Sequence, residues 1–209
     1  MDTFYSDSQR ALQAEFASTG LADRLEQLIV RDRFDEDSKG FVEQARFFFL
    51  ASVDNQGFPT VSHKGGDAGF VKVPAADTLL FPCYDGNGMY YSMGNIDTHP
   101  QVGMLFIDFE SPRRLRIQGQ AQLNRDPEIL QLWPETALAV AVTVTQMWVN
   151  CPRYIQPMNY LEPAEHTPRD GIDTPQPEWK SYEAFADVVP PPAHTLQSAA
   201  EHSSLDNKD

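Results

Sequence analysis

Phe47-Phe-Phe-Leu-Ala-Ser-Val53, then Asp54-Asn-Gln-Gly57, then Phe58-Pro-Thr-Val-Ser-His-Lys-Gly-Gly66 is the stretch that decides the fold. The first run is aromatic and β-branched enough for a buried strand. Asp54 to Gly57 carries the residues of a tight turn, and Phe58 to Ser62 reads as a returning strand. The returning strand ends in a basic, glycine-bearing segment. Two glycines behind Lys64 would let a backbone approach a ligand closely, with a cation beside it for an anionic group. The organised region extends from this hairpin to Leu123.

Downstream, Phe70 to Val73 and Thr78 to Phe81 read as further strands, separated by a turn at Pro74 to Asp77. Pro82-Cys-Tyr-Asp-Gly-Asn-Gly88 is a loop by composition. Met89 to Thr98 reads as a helix that ends at His99-Pro100. Val102 to Phe109 is a strongly apolar strand. Arg113 to Leu123 has the clearest period of two: Leu115, Ile117, Gly119, Ala121 and Leu123 share one face, and Arg114, Arg116, Gln118, Gln120 and Gln122 the other. Asp126 to Trp133 is expected to be a helix opened by Pro127. In the alanine- and valine-rich Ala137 to Val149, helix and strand compete, and a strand is favoured over Val142 to Val149. Five or six closely spaced strands with one or two short helices suggest a small closed β-barrel.

Upstream, Ser6 to Val30 reads as two short helices broken around Ser18-Thr-Gly20. Leu21, Leu25, Leu28 and Ile29 recur at helical spacing, for packing on the barrel or on a neighbouring subunit. Asp35 to Ser38 opens a third helix. From about Gln156 the chain holds eight of its sixteen prolines and little periodicity, which predicts a draped or disordered tail. Trp179, Tyr182 and Phe185 are the cluster there able to dock. The domain reading is a helical extension over 1–40, a barrel domain over 41–155 and a proline-rich tail over 156–209.

The 209 residues suffice for a real core. A net charge of −14 argues against nucleic acid, which needs a broad basic face. Two cysteines are too few for a disulfide framework and fit a reducing compartment. Residues 1–10 lack the plan of a secretory signal, and no apolar run approaches the ~20 residues needed to cross a bilayer. A cytoplasmic protein without nucleic-acid or membrane partners is the expectation.

Three segments together resemble the pyridoxamine 5′-phosphate oxidase-like, FMN-binding split-barrel superfamily: Pro59 to Asp67, Asn95 to Phe106, and Arg113-Arg-Leu-Arg-Ile-Gln-Gly119. The last is similar, position for position, to the family's Arg-Gln-Val-Arg-Val-Glu-Gly strand. The Gly86-Asn-Gly88 loop before Asn95, and Cys151-Pro-Arg-Tyr-Ile155, resemble a less characterised branch of FMN-dependent enzymes rather than the oxidase itself. The resemblance spans Phe41 to Tyr154. It implies a six-stranded split β-barrel with flanking helices, and a homodimer whose two FMN cofactors lie between the subunits. Ser62, His63, Lys64 and Gly65 match the segment that runs along the flavin, with Lys64 at or beside a phosphate-contacting position. Pro82, Gly86, Asn87 and Gly88 match the next segment of the cofactor wall. Arg114 falls where the family often has a glutamine bonded to the flavin ring, and Arg116 follows on the same strand face. Two departures weigh against true oxidase activity. Gly86-Asn-Gly88 stands near the place of the oxidase's phosphate-gripping Ser-Arg-Lys, and the oxidase's arginine- and histidine-bearing C-terminal segment is absent.

The implied function is FMN-dependent oxidoreduction of an unidentified small-molecule substrate. The flavin carries the chemistry, so no catalytic dyad is required. None is seen, nor is a metal-ligand cluster. Each residue also has a plainer reading. Lys64 could be a solvated turn lysine, His63 a hydrogen-bonded strand-end residue, and Gly86 and Gly88 turn glycines. Arg114 could sit in a surface ion pair, and Arg116 could face a partner subunit. Alternative functions are a flavin-binding protein without turnover, a deazaflavin F420 protein, or a haem protein using His63, His99 or His166.

Overall fold

The computed structural model describes residues 4–196. Seven antiparallel strands form one sheet: β1 (Phe47–Val53), β2 (Pro59–Gly65), β3 (Lys72–Ala75), β4 (Thr78–Pro82), β5 (Gln101–Asp108), β6 (Arg113–Asn124) and β7 (Ala139–Val149). Their spatial order is β2-β1-β5-β6-β7-β4-β3. The expected hairpin is present, with Phe47 opposite Gly65 and Val53 opposite Pro59. Its turn is closed by the Asp54 carboxylate, which accepts from the backbone N–H groups of Gln56 and Phe58 at 2.9 Å each.

The sheet wraps around its own core. β1 and β4 stand four positions apart in the strand order, which in a flat sheet is roughly 19 Å. Yet the Phe48 and Phe81 rings meet edge-on with centroids 5.0 Å apart, and Phe48 stacks on Phe106 at 5.0 Å. Phe48, Leu50, Leu79, Phe81, Phe106, Ile117, Val140 and Val142 belong to one buried cluster drawn from five strands. The alternation read in β6 holds: Leu115, Ile117, Gly119 and Ala121 are buried while Arg116, Gln118 and Gln120 are exposed. The β6–β7 register shifts at Gln118/Gly119, and a Cβ on Gly119 would lie 2.4 Å from the Thr143 carbonyl oxygen. Only glycine fits that crossing.

The strand count and closure differ from expectation. There are seven strands rather than six, and the sheet is not closed, because β2 and β3 each pair on one side only. β3 is the extra edge strand, four residues long, with a register break between Lys72 and Ala75. Pro74 within it has no N–H to offer a further neighbour, which suits an outer edge. β7 begins at Ala139, earlier than its sequence indicated, because Ala139 to Thr143 lies between β6 and β4.

The helices flank the sheet: α1 (Asp7–Glu15), α2 (Thr19–Ile29), α3 (Glu36–Gln44), α4 (Tyr91–Thr98) and the single-turn α5 (Pro127–Leu130). α3 opens on a reciprocal cap in which Asp35 accepts from Ser38 N–H at 2.9 Å and Ser38 Oγ accepts from Asp35 N–H at 3.0 Å. α1 and α2 are clasped by Arg10, which reaches Asp23 (2.6 Å) and Glu26 (3.4 Å). α2 buries only Ala22, leaving Leu21, Leu25 and Leu28 exposed. No helix among the described residues is long and apolar enough to cross a membrane.

The described residues beyond β7, as far as 196, include several that are tied to the domain, and the rest of the expected tail lies outside the described residues. Arg169 grips Asp67 through Nε (2.6 Å) and an Nη (3.0 Å), and Thr174 donates to Glu135 at 2.9 Å. Lys180, 8 % exposed, forms an ion pair with Asp85. Prolines restrict this segment's unfolded states, so few side-chain contacts suffice to hold it.

Candidate functional site

β2 divides the expected site residues between two faces of the sheet. Lys64 stands opposite the fully buried Phe48, and cross-strand partners share a face, so Lys64 points to the core side. Its half-buried ammonium neighbours the Cys83 thiol. Desolvation lowers the Lys64 pKa, and the same loss of water raises that of Cys83. No carboxylate among the described residues pairs with Lys64, whereas Arg10, Arg31, Arg33, Arg46, Arg113, Arg169 and Lys180 all have one. In a chain with thirty acidic residues, a desolvated and unpaired lysine is a costly arrangement that an anion would relieve.

Hydroxyls accompany it. Ser62 shares the Lys64 face, and its Oγ accepts from Ser92 Oγ of α4 at 3.0 Å. Asn95, one helical turn further, donates to Ser52 (3.1 Å) and Thr60 (3.4 Å), which fixes α4 against β1 and β2. The loop before α4 is open. Asn87 Oδ1 accepts from Met89 N–H at 3.1 Å, Gly88 takes φ +75°, and nothing approaches a Cβ at Gly86 closer than the Tyr84 carbonyl at 4.0 Å. Pro82 is buried at the end of β4, opposite Ala139. Gly66 has a packing role, because a Cβ there would lie 2.6 Å from Phe70 Cβ and Cγ.

Arg114 lies elsewhere. Its cross-strand partner is Ile107, while the adjacent Leu115–Phe106 pair is buried, so Arg114 occupies the outer face. β6 is three strands from β2, roughly 14 Å. Within one chain, therefore, Lys64 and Arg114 do not meet. Arg114 donates to the Cys151 carbonyl at 2.8 Å, and its buried Nε lacks a partner. Arg116 is exposed on the same face and, like Arg114, pairs with no carboxylate among the described residues.

His63 and Gly65 line a cavity of about 770 Å³ between the outer face, the end of α3 and the C-terminal segment. Its floor is a row of rings: His63 stacks on Phe47 (5.5 Å, 15°) and Phe47 on Phe109 (6.0 Å, 12°). Opposite, Tyr160 lies under the Arg46 guanidinium at 4.0 Å, and its N–H donates to Glu110 at 3.3 Å. Tyr84 forms part of the wall, its hydroxyl pKa pushed up to about 12 by burial and then by the Asp67 charge. Phe41, Met158, Glu162 and His166 also contribute, and His166 Nδ1 is 2.9 Å from the Pro175 carbonyl. Of the histidines considered as haem ligands, His63 and His166 thus share this cavity, while His99 caps the far end of α4.

Sequence reasoning missed this cavity. One signal was present: Phe47 to Leu50 is apolar at every position, whereas a strand with one wet face alternates, so both faces of β1 needed cover. The residues supplying that cover come from the proline-rich segment, where no local pattern marks them. Trp148 is half-buried on the outer face, edge-on to Phe4 at 5.3 Å. Arg153 and Tyr154, in the segment that resembles the FMN-dependent branch, are exposed and outside the cavity.

The family model described as pyridoxamine 5′-phosphate oxidase matches residues 34–148. No curated protein matches the chain. Similar solved structures include HupZ of Group A Streptococcus, 14 % identical with a TM-score of 0.46, over 56 % of this chain and 93 % of that one. An F420 reductase is 20 % identical at 0.42, over 55 % and 98 %. A Clostridium acetobutylicum protein related to general stress protein 26 is 12 % identical at 0.42, over 55 % and 85 %. Likenesses at this level add nothing about function. The family match alone spans 115 of the 209 residues, from Phe34 through β7, and on that basis the chain belongs to the pyridoxamine 5′-phosphate oxidase family.

Proposed function

We propose that the protein is an FMN-dependent oxidoreductase that acts on a small organic molecule as a homodimer with cofactor at the subunit seam. The observation that carries this reading is Lys64, desolvated beside Cys83 and without a carboxylate among the described residues. A phosphate supplies the missing counter-charge. Ser62 and Ser92 offer hydroxyl donors beside it, and the open Gly86-Asn-Gly88 loop offers backbone N–H groups. His63 and Gly65 continue the same strand toward the aromatic cavity. The cofactor phosphate therefore fits at Lys64, and the acid-rich cavity next to it does not compete for an anion.

The placement of Arg114 and Arg116 bears on assembly. They lie on the face opposite Lys64, so they join the same site only when a second copy brings them to it. In the dimer, Arg114 of one copy would stand at the ring's edge while Lys64 of the other holds the phosphate. A guanidinium there is permanently charged and raises the reduction potential of the ring beside it. Bound FMN supplies hydride or electron transfer, and the chain supplies position, charge and exclusion of water. The working division is residues 1–40 as extension, 41–155 as the flavin domain and 156–209 as the proline-rich segment, whose residues between Met158 and Thr167 wall the cavity.

Anaerobic mixing of the FMN-loaded protein with NADH or NADPH tests the reading. Rapid bleaching of the flavin spectrum is the expected result. A protein that stays monomeric and leaves added FMN unbound would overturn it.

A further inference from the structure

We infer that the cavity beneath the C-terminal segment binds a planar aromatic molecule carrying a positive charge, such as a quaternary heteroaromatic or a protonated arylalkylamine. Its volume of about 770 Å³ falls in the range of small-molecule sites. The His63–Phe47–Phe109 row is a stack of rings, its successive planes within 15° of parallel, which a planar ring can extend. Faces of aromatic rings are negative, so a stack of this kind favours a cation over an anion.

The charges around the stack agree. Asp67, Asp85, Asp108, Glu110 and Glu162 line the cavity. Against these five carboxylates stand three cations: Arg169 on Asp67, Lys180 on Asp85, and Arg46, which is 4.0 Å from Glu110. Asp108 accepts from the backbone N–H groups of Glu110 (2.8 Å) and Ser111 (3.1 Å) and meets no cation among the described residues. Glu162 has neither an ion pair nor a hydrogen-bond partner among the described residues. The lining therefore keeps an excess of negative charge, with Glu162 available to a ligand. An anion entering here meets repulsion from a partly desolvated wall, where charges are less screened than in water.

Two tricyclic probes of matched shape and opposite charge test this, N-methylacridinium and anthracene-2-sulfonate, titrated by their own fluorescence into the full chain. N-methylacridinium is expected to bind at one equivalent per chain, about tenfold or more tighter than the sulfonate. Glu162→Lys should reverse that preference, and Phe47→Leu should weaken both probes. Circular dichroism verifies folding of each variant, and Glu162, being exposed, tolerates lysine. The inference does not depend on the cofactor reading. Lys64→Ala should weaken FMN and leave the acridinium isotherm unchanged. Equal affinity for the two probes, or an acridinium isotherm indifferent to Glu162→Lys, would overturn it.

Discussion

Gly66→Ala separates packing from ligand approach at the glycine pair behind Lys64. A methyl group at Gly66 would lie 2.6 Å from both Cβ and Cγ of Phe70 and 2.9 Å from Cδ2. Rotating the Phe70 ring cannot relieve a clash with its own Cβ, so the backbone has to move. That backbone is held at several points. Phe70 is 4 % exposed and stacks on Phe48 at 5.9 Å, its carbonyl accepts from Trp133 Nε1 at 2.8 Å, and its N–H donates to Asp67 O at 2.9 Å. Overpacking of this kind costs about 1–3 kcal/mol. At about 2 kcal/mol, a chain of this length loses about 4–8 °C in Tm. Urea unfolding followed by tryptophan fluorescence measures the cost. Gly86→Ala is the control, since its added methyl meets nothing closer than 4.0 Å, and it should stay within about 0.5 kcal/mol of wild type. Combining Gly66→Ala with Phe70→Gly should cost less than the two changes summed, because the clash disappears with Cβ and the ring together. Wild-type stability in Gly66→Ala, with loss of FMN binding, would refute the packing account and return the glycine to the ligand.

Three further outcomes follow from the same geometry. Asp35 is held at a pKa of about 2 by the Ser38 hydroxyl and N–H, so its stabilisation is present above the ordinary value of 3.8 and fades as pH falls toward 2. Asp35→Ala should cost about 1 kcal/mol near neutrality and nothing in strong acid, as read from urea midpoints against pH. The two thiols should react at very different rates with an aromatic disulfide reagent. Exposed Cys151, its pKa lowered by hydrogen bonding with the Arg153 backbone, reacts first, and half-buried Cys83 reacts late. For Lys64 the sign is reversed from the usual lysine case. Burial lowers its folded pKa below 10.5, so apo stability rises with pH through that window while FMN affinity falls, measurable by paired melts and titrations.

How legible this molecule is from its sequence depends on where the information lies. β6 could be read residue by residue because one face is buried and the other wet, and strict alternation follows. The β1–β2 hairpin was equally plain, since Asp54 to Gly57 carries its own turn chemistry. β7 was less so, because Ala139 to Val142 is apolar throughout and sits where helix and strand patterns coincide. β3 was read two residues early, over Phe70 to Val73, because Pro74 reads as a turn residue although it lies inside an edge strand, and the open seam carries no local sign. The cavity was hidden for a different reason. The Arg169–Asp67 contact spans 102 positions and Lys180–Asp85 spans 95, and pairings of that range leave no local trace. The opposite facing of Lys64 and Arg114 was in principle readable from strand parity, but only once the strand order was known.

The central claim, that Lys64 holds the cofactor's anionic end, is tested most directly by comparing FMN with riboflavin. The two differ by the phosphate alone. Titrated into wild-type protein and Lys64→Ala by flavin fluorescence, they should show a wild-type preference for FMN of about 10- to 100-fold, the scale of a charge-assisted hydrogen bond. That preference should collapse to near unity in Lys64→Ala, with riboflavin affinity little changed. An FMN preference that survives intact without Lys64 would contradict the account.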